Sequence, residues 1–341
     1  MLTTAGIARL AASAYDTIDE SDAGSWRRAA AFGAPMDVEK WSRPGSHSGR
    51  SVATTNTIAR TTVTACAKSN QSFLSMKTRR AGRESPRQPA PAGVSARILG
   101  EWFDANLQPG RFNDYCPNGL QAEGTRPIRK LICGVSASLA LIDAARQAGG
   151  DALLVHHGWF WRGEDPRLIG TQLARTRALL TSGMHLFAYH LPLDAHPEMG
   201  NNAQLGARLG WRTDGRLGQH DLISWHQFER PTSAQAVSRL LRQRLGQTPL
   251  AVGALDRPIA RIAWCTGAAQ DMIVEAAAAG ADGFISGEIS ERTTHLAREL
   301  GISYFAAGHH ATERFGVQAL AHAAAEALGF DQRFIDDPNP V

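Results

Sequence analysis

The chain has 341 residues, 43% of them hydrophobic, which is enough apolar material for a sizeable core divided among about two or three domains. It contains no run of eighteen or more apolar residues, so no membrane-spanning helix and no membrane partner are expected. Four cysteines without CxxC spacing are typical of a reduced, cytoplasmic protein and argue against a thiolate metal site.

The formal net charge of +4 is unevenly distributed along the chain. Residues 1–93 carry 13 Lys+Arg and 7 Asp+Glu, a net +6, whereas residues 94–341 carry 23 and 25, a net −2. The basic character therefore belongs to the N-terminal part and is poor evidence for a nucleic-acid surface on the remainder.

The N-terminal segment, residues 1–93, lacks sustained periodicity and ends in the Pro/Gly/Arg-rich stretch RRAGRESPRQPAPAG. This composition predicts a disordered or linker-like extension. Two alternatives remain open: a targeting peptide, or translation that begins near Val94. Transit sequences are poor in acidic residues, and four acidic residues disfavour that alternative: Asp16, Asp19, Glu20 and Asp22.

From Val94 to residue 341 the pattern predicts a folded α/β domain. VSARILGEWFDANL has the apolar spacing of a helix, and RKLICGV, residues 129–135, has the composition of a strand. SLALIDAARQAGG then predicts a helix with a glycine stop, and DALLVHHG a buried strand leading into a loop. This β-α-β order favours a parallel or mixed sheet covered by helices.

The same unit recurs 131 residues later, with Asp282 in the place of Asp151. RIAWCTG, DMIVEAAAAGAD and GFISGE repeat the strand, helix and strand, and a further helix and strand follow in both copies. We therefore predict two pseudo-repeated α/β lobes, joined by a segment of about residues 213–258 that holds one amphipathic helix. Chance similarity between alanine-rich units remains the alternative.

Half of the twelve histidines lie at the predicted strand ends, where open α/β sheets bind their ligands. Together with nearby carboxylates, imidazoles suit Zn, Fe, Mn, Co or Ni, whereas an all-oxygen set would suit Mg or Ca. The six are His156, His157, His190, His196, His309 and His310.

The stretch GHHATE places His309 and Glu313 four residues apart, so on a helix both side chains face one point, as two ligands must. The alternative is an ordinary helix start, in which Thr312 and Glu313 satisfy free backbone amides.

Two further segments supply candidate ligands. In VHHG, two adjacent histidines point to opposite sides of a strand unless the strand has ended, and in a loop His156 and His157 would splay toward two ions. The alternative is one core and one exposed histidine. In HLPLDAH, Asp194 is the favoured bridging carboxylate, and His190 and His196 orient ligands or are ordinary loop residues. Five ligands shared by two ions leave open positions, as in a catalytic site.

Six motifs follow one another along the chain: NDYCPNGLQAEG, LLVHHGWFWRGEDPRLIG, HLPLDAHPEMGNNAQLGARLG, FISGEISERTTHLARE, AAGHHATERFGVQAL and FIDDPNP. In this order they resemble one known family, the Nif-three-like dinuclear-metal-centre hexameric proteins, also called GTP cyclohydrolase 1 type 2 homologs. The resemblance covers about residues 94–341 and is greatest to the short bacterial form, which lacks an inserted domain.

The resemblance implies a fold, a metal site and an assembly. The fold is a pair of interlocked α/β lobes with mixed sheets flanked by helices and the metal site between the lobes at the strand ends. The assembly is a toroidal homohexamer. Two divalent metal ions per subunit would be held by five residues, carried over by motif position: His156, His157, Asp194, His309 and Glu313.

The activity implied by the resemblance is hydrolytic opening of the imidazole ring of GTP or another purine nucleotide by metal-activated water. Position alone suggests Glu288 and His190 as proton-transfer groups. Arg162 and Arg314 flank the ligand motifs and would meet phosphates or form salt bridges. There is no P-loop, and no further cofactor-binding residues are predicted.

Two other functions remain open from the sequence. One is a non-catalytic hexameric ring that binds a partner or nucleic acid, with structural or regulatory metals. The other is a two-metal phosphoesterase, because such sites commonly serve phosphate chemistry.

Overall fold

A computed structural model describes residues 93–341 and contains two mixed sheets flanked by helices, which confirms the predicted fold class. Apart from Gly93, the predicted N-terminal extension lies outside the described residues, as does Cys66. Within the part that is described, no helix is both long enough and apolar enough to cross a membrane.

The first sheet has five strands in the order β1-β4-β3-β2-β11. In chain order they are β1 (Gly119–Ala122), β2 (Lys130–Ser136), β3 (Ala152–His157), β4 (His185–Ala188) and β11 (Asp331–Phe334). β1 pairs with β4 in antiparallel orientation and all other pairs are parallel, so the carboxyl ends of β2, β3 and β4 meet at one edge.

The second sheet has six strands in the order β5-β6-β8-β9-β10-β7. They are β5 (Gly215–Leu217), β6 (Ile223–Thr232), β7 (Leu250–Gly253), β8 (Ile259–Trp264), β9 (Gly283–Ser286) and β10 (Ser303–Ala306). β8, β9 and β10 are parallel, whereas β5, β6 and β7 join through antiparallel pairs.

Nine α-helices lie within the described residues. In chain order they are α1 (Ala96–Leu107), α2 (Leu139–Gln147), α3 (Gly170–Ser182), α4 (Leu191–Ala195), α5 (Asn201–Leu209), α6 (Ala234–Leu245), α7 (Ile273–Ala278), α8 (Glu291–Glu299) and α9 (His309–Leu328). Four of them begin after a serine whose hydroxyl accepts a first-turn N–H bond, which satisfies an otherwise free donor. These caps are Ser95, Ser138, Ser233 and Ser290.

The two lobes share one specific hydrogen-bond arrangement. In each lobe, the aspartate just before one strand (β3 or β9) accepts two backbone N–H bonds through its Oδ2. The donors lie at the start of the neighbouring parallel strand (β2 or β8). The bonds run to Asp151 from Arg129 and Lys130, and to Asp282 from Ala260 and Arg261, at 2.9–3.1 Å. Identical use of equivalent carboxylates favours a true repeat over chance similarity.

The segment of residues 213–258 contains the predicted amphipathic helix as α6, but it also provides β5, β6 and β7. The sequence pattern missed these strands for two reasons: most of β6 is partly exposed, and β5 and β7 are only 3 and 4 residues long.

Helix α9 interlocks the two lobes. Its first half buries Ala311 and Phe315 in the core around Trp264 of the second sheet. Its second half buries Leu320 and Ala324 in the core against β2 and β3 of the first sheet. The start of α9, which carries His309 and Glu313, is therefore held between the lobes.

Candidate metal centre

The five predicted ligands come together from both lobes. His156 and His157 are the last two residues of β3, rather than residues of a loop beyond it. Asp194 lies in the short helix α4 that follows β4, and His309 and Glu313 lie in the first turns of α9, after β10. The side-chain oxygens of Glu313 lie beside imidazole nitrogens, at 3.0 Å from His309 and 3.1 Å from His157, which favours the ligand interpretation over an ordinary helix start.

Glu313 is the carboxylate at the middle of the cluster. Its Oε2 lies 3.1 Å from His157 Nε2 and 3.0 Å from His309 Nε2. Its Oε1 lies 3.5 Å from His156 Nε2, which is in turn 3.4 Å from Asp194 Oδ1. Two groups of three residues share Glu313: one adds His156 and Asp194, and the other adds His157 and His309.

The donor set fits divalent metal ions. Among residues 93–341, His156 Nε2 and Glu313 Oε2 are buried without a partner in hydrogen-bond geometry, which is costly unless something else satisfies them. A metal–ligand bond of about 2.1 Å places neighbouring ligand atoms about 3.0 Å apart at right angles and about 3.4 Å apart in a tetrahedron. The observed separations of 3.0–3.5 Å match those values.

In the structure Glu313, and not Asp194, is the carboxylate common to the two groups of ligand atoms. Asp194 belongs to one group only, and its Oδ1 also accepts hydrogen bonds from Asn201 Nδ2 at 2.9 Å and Thr266 Oγ1 at 3.3 Å. Glu313 is the shared residue because α9 carries it between the lobes, whereas Asp194 stays beside β4 on the first-lobe side. The ligand role of all five residues stays a prediction.

The three histidines of the cluster are oriented through their other ring nitrogen. When Nδ1 donates to an acceptor, the neutral ring keeps the lone pair on Nε2, which then points into the cluster. The partners are the Tyr189 carbonyl for His156 at 2.9 Å, Ser136 Oγ for His157 at 2.9 Å and Glu288 Oε1 for His309 at 2.6 Å. Glu288, a candidate proton-transfer group from the sequence, thus positions His309.

The carboxylates and imidazoles of the cluster shift one another's pKa values. Burial by itself lowers the pKa of His156, but the carboxylates of Asp194 and Glu313 outweigh it and raise that pKa to about 10. For His309, burial is likewise outweighed by Glu313 and Glu288, which raise its pKa to about 9. Burial raises the pKa of Glu313, but the neighbouring histidines hold it well below its usual range.

His190 lies beside the cluster and is held by an acid. Its Nδ1 is 2.7 Å from Asp114 Oδ1, and its ring centroid is 5.0 Å from that of His156. Burial raises the pKa of Asp114, but the hydrogen bonds and charge of His190, with further bonds from Asn118 and Tyr115, lower it to about 2. The Asp114 carboxylate therefore stays charged and fixes the His190 ring.

Of the two other groupings at metal-binding spacing, one combines His156 and His157 with His190, and the other, of Asp114, Cys116 and His190, is already satisfied. Asp114 Oδ2 accepts bonds from the Asn118 side chain and the Leu191 amide. Burial, with the charge of Asp114, raises the pKa of the Cys116 thiol to about 12, so it is not a thiolate at neutral pH. These side chains hold one another rather than an ion.

The other residues singled out from the sequence lie outside the cluster. His196 Nδ1 accepts backbone bonds from Glu198 and Met199 in a turn. His310 Nε2 is 2.8 Å from Asp336 Oδ1, and Arg314 bonds the same carboxylate, so both secure the C-terminal segment.

Sequence reasoning missed several residues that support the site. Ser136, Asn201 and Thr266 hold His157 and Asp194, as described above. Asn201 stands in the GNN part of a recognised motif, but a neutral amide or hydroxyl carries no ligand signal in a sequence. Only the fold brings such residues to the ligands.

Gly267 gives a test of how tightly the site is packed. It adopts φ +69°, and a Cβ atom there would overlap Glu313 Oε1. Gly267→Ala should therefore displace Glu313 and weaken metal binding at least about tenfold, as changes around metal ligands do. Metal content after dialysis, together with thermal unfolding, measures the effect.

Gly149→Ala is the matched control, because Gly149 has φ +71° and nothing within 4 Å of its Cβ position. Both substitutions carry the cost of a left-handed residue, about 1–2 kcal/mol, but only one reaches the site. Equal metal content in the two variants would show that Glu313 does not need its present position.

A cavity of about 710 Å³ opens above the cluster, and His157, Asp194, His309 and Glu313 line it. This volume is within the usual range for small-molecule sites, about 300–1,000 Å³. His190 lines the same cavity, and so does Arg162, whose guanidinium bonds Asn113 Oδ1 and the Asp114 carbonyl. The cluster therefore faces an open, ligand-sized space.

A family model described as Duf34/NIF3 (NGG1p interacting factor 3) matches residues 95–340. A relative from Allochromatium vinosum, named GTP cyclohydrolase 1 type 2 homolog, is 51% identical over 249 residues, covering 73% of this chain and 98% of that protein. A relative of the same name from Escherichia coli K12 is 45% identical over 244 residues, 71% of this chain and 98% of its own.

Solved structures are similar as well. A structural-genomics protein called ybgI, described as of unknown function, has 43% identity and a TM-score of 0.69, and the match covers 73% of this chain and all of that one. The protein TTHA1606 from Thermus thermophilus has 31% identity and a TM-score of 0.66, with the same coverage.

Proposed function

Because the chain belongs to the Duf34/NIF3 family, we propose that it is a dinuclear metal-dependent hydrolase that opens the imidazole ring of a purine nucleotide. The name of its relatives, GTP cyclohydrolase 1 type 2 homolog, supports this class of reaction. The observation that carries the proposal is the double ligand cluster at the floor of the large cavity.

The ligand count favours catalysis over a purely structural site. A structural site is usually closed by four protein ligands, whereas each group here has three, one of them shared, which leaves positions open toward the cavity. Two divalent ions, such as Zn, Fe, Mn, Co or Ni, would supply Lewis acidity and a water of lowered pKa.

The residues around the cluster have separate tasks in this proposal. His156, Asp194 and Glu313 would hold one ion, and His157, His309 and Glu313 the other. Ser136, Tyr189 and Glu288 keep the ring nitrogens aimed at the cluster.

His190 is the proposed proton-transfer group. Asp114 occupies its Nδ1, which leaves Nε2 free to exchange a proton with a substrate in the cavity. Glu288 is assigned a positioning role instead, because its carboxylate is hydrogen-bonded to His309 and does not line the cavity above the cluster.

The test is turnover of GTP by the metal-loaded protein, followed by mass spectrometry of the product. We expect ring-opened product from the unchanged protein and a loss of at least about a hundredfold in Asp194→Ala, since ligand and support residues typically matter that much. Asp143→Ala, which removes a half-exposed acid of α2, is the control and should keep full activity.

The remaining functional alternatives give different results in the same assay. Phosphate release without ring opening would identify a phosphoesterase. Equal, negligible turnover in the unchanged protein and in Asp194→Ala would leave a non-catalytic ring that binds a partner or nucleic acid. The toroidal homohexamer stays a prediction from the resemblance.

A further inference from the structure

The cavity above the metal cluster has two unlike walls. The first-lobe wall is aromatic: the Trp161 ring centroid lies 5.0 Å from that of His190 and 6.0 Å from that of His157, and Tyr115 lies 6.4 Å from His190. The second-lobe wall is aliphatic and contains Leu222, Ala268, Ala269 and Met272. A space between an aromatic and an aliphatic wall suits a flat ring.

Polar groups lie at the edge of this space. Thr266 and Asn113 line it, as do Gln219 and His220 from the turn before β6. His220 and Asp221 adopt left-handed backbone, with φ of 60° and 59°, a conformation that costs free energy and clusters at functional sites. Amide, hydroxyl and imidazole groups can hydrogen-bond the edge of a heterocycle, but they do not neutralise an anion.

The cavity is poor in positive charge from the chain. Among the described residues that line it, Arg162 is the only lysine or arginine, and its guanidinium is already bonded to Asn113 and to the Asp114 carbonyl. Glu164 and Asp165, both exposed, follow closely in the same loop. Protein sites for nucleoside triphosphates normally offer a glycine-rich loop with a lysine, or several arginines.

We propose that the chain recognises a purine base or nucleoside, as a ring stacked between Trp161 and Tyr115 on one side and Met272 and Ala269 on the other, and that its side chains add no binding from a triphosphate. It recognises the ring and not a triphosphate. This inference rests on the proposed function and deepens it, because it makes GTP itself a poor representative of the substrate class.

Calorimetric titration with guanosine, GMP and GTP tests the proposal, using the full-length protein both as purified and after treatment with a chelator. We expect guanosine to bind as tightly as GTP, within about threefold, after chelation, when no metal ion is present to hold a phosphate; tighter GTP binding before chelation would then report phosphate on the metal ions. A single exposed arginine contributes little to holding a phosphate, so Arg162→Gln should weaken GTP binding by no more than about fivefold and leave guanosine binding unchanged.

Substitutions in the aromatic wall test the stacking of the ring. Trp161→Ala should weaken guanosine binding at least about tenfold, as removal of a stacking partner does, whereas Trp161→Phe should restore most of it. Phe160→Ala is the matched control, because Phe160 is the neighbouring exposed aromatic residue and does not line the cavity. Tyr115→Ala provides a second variant of the same wall if Trp161→Ala does not fold.

Three results would overturn the inference: no binding of guanosine, GTP binding more than about threefold tighter than guanosine in chelator-treated protein, or full guanosine binding in both Trp161→Ala and Tyr115→Ala. Failure of this inference can be distinguished from failure of the proposed function. Binding of the purine ring without turnover of any purine would refute the hydrolase but support the ring site. Turnover together with tight, Arg162-dependent GTP binding would support the hydrolase but refute the ring site.

Discussion

Glu313→Gln should release both metal ions from the protein, whereas Asp194→Asn should release only one. Glu313 is shared by both ligand groups, with carboxylate oxygens 3.0–3.5 Å from three imidazole Nε2 atoms, and Asp194 belongs to a single group. Glutamine keeps the shape of the side chain, but it replaces one oxygen by an NH2 group that cannot bind a metal and leaves the other as a neutral amide oxygen, a weaker ligand than a carboxylate.

Metal analysis after dialysis into metal-free buffer measures this effect. We expect a fall from about two ions per chain to well below one in Glu313→Gln, because one site loses its ligand atom and the other keeps only a neutral amide oxygen in place of a carboxylate. Glu326→Gln is the matched control in the same helix, because the Glu326 side chain is 72% exposed and its ion pair in the described residues is with His322. Loss of both ions in Asp194→Asn, with retention in Glu313→Gln, would restore Asp194 as the bridge.

Metal-free protein should become less stable as the pH rises from about 7 to about 10. In the folded metal-free state the carboxylates raise the pKa of His156 to about 10 and that of His309 to about 9, whereas an unfolded histidine titrates near about 6.5. Between those values the folded state binds more protons than the unfolded state. The stabilisation is therefore complete below about pH 6.5 and is lost as the pH rises through the folded pKa values.

Metal binding should show the opposite pH dependence. Each ion must displace the proton from its histidine, so the apparent affinity rises with pH, by about tenfold per pH unit for each proton released, until about pH 9 to 10. Calorimetric unfolding of chelator-treated and metal-loaded protein across this range distinguishes the two trends. His309→Gln should flatten the metal-free profile, and exposed His322→Gln should leave it unchanged. A metal-free profile that rises with pH contradicts the ionic pairing described here.

Much of the fold could be predicted because its signals are local. Helices α1, α2 and α6 follow apolar periodicity and begin at serine caps, and strands β2, β3, β8 and β9 follow apolar runs, all within about a dozen neighbouring residues. Strands β5 and β7 carry no such signal, since they are short and acquire their partners only in the sheet. β11 pairs with β2, about two hundred residues away in the chain, and no local pattern predicts that contact.

The sequence by itself determined which residue types stand at the strand ends, that they suit a borderline divalent metal, and that two similar α/β units carry them. It could not determine which carboxylate is shared, because that depends on how α9 crosses from one core to the other. It also could not show the cavity, whose aromatic and aliphatic walls come from different lobes. These properties arise from contacts between residues more than a hundred positions apart, and only tertiary packing sets their distances.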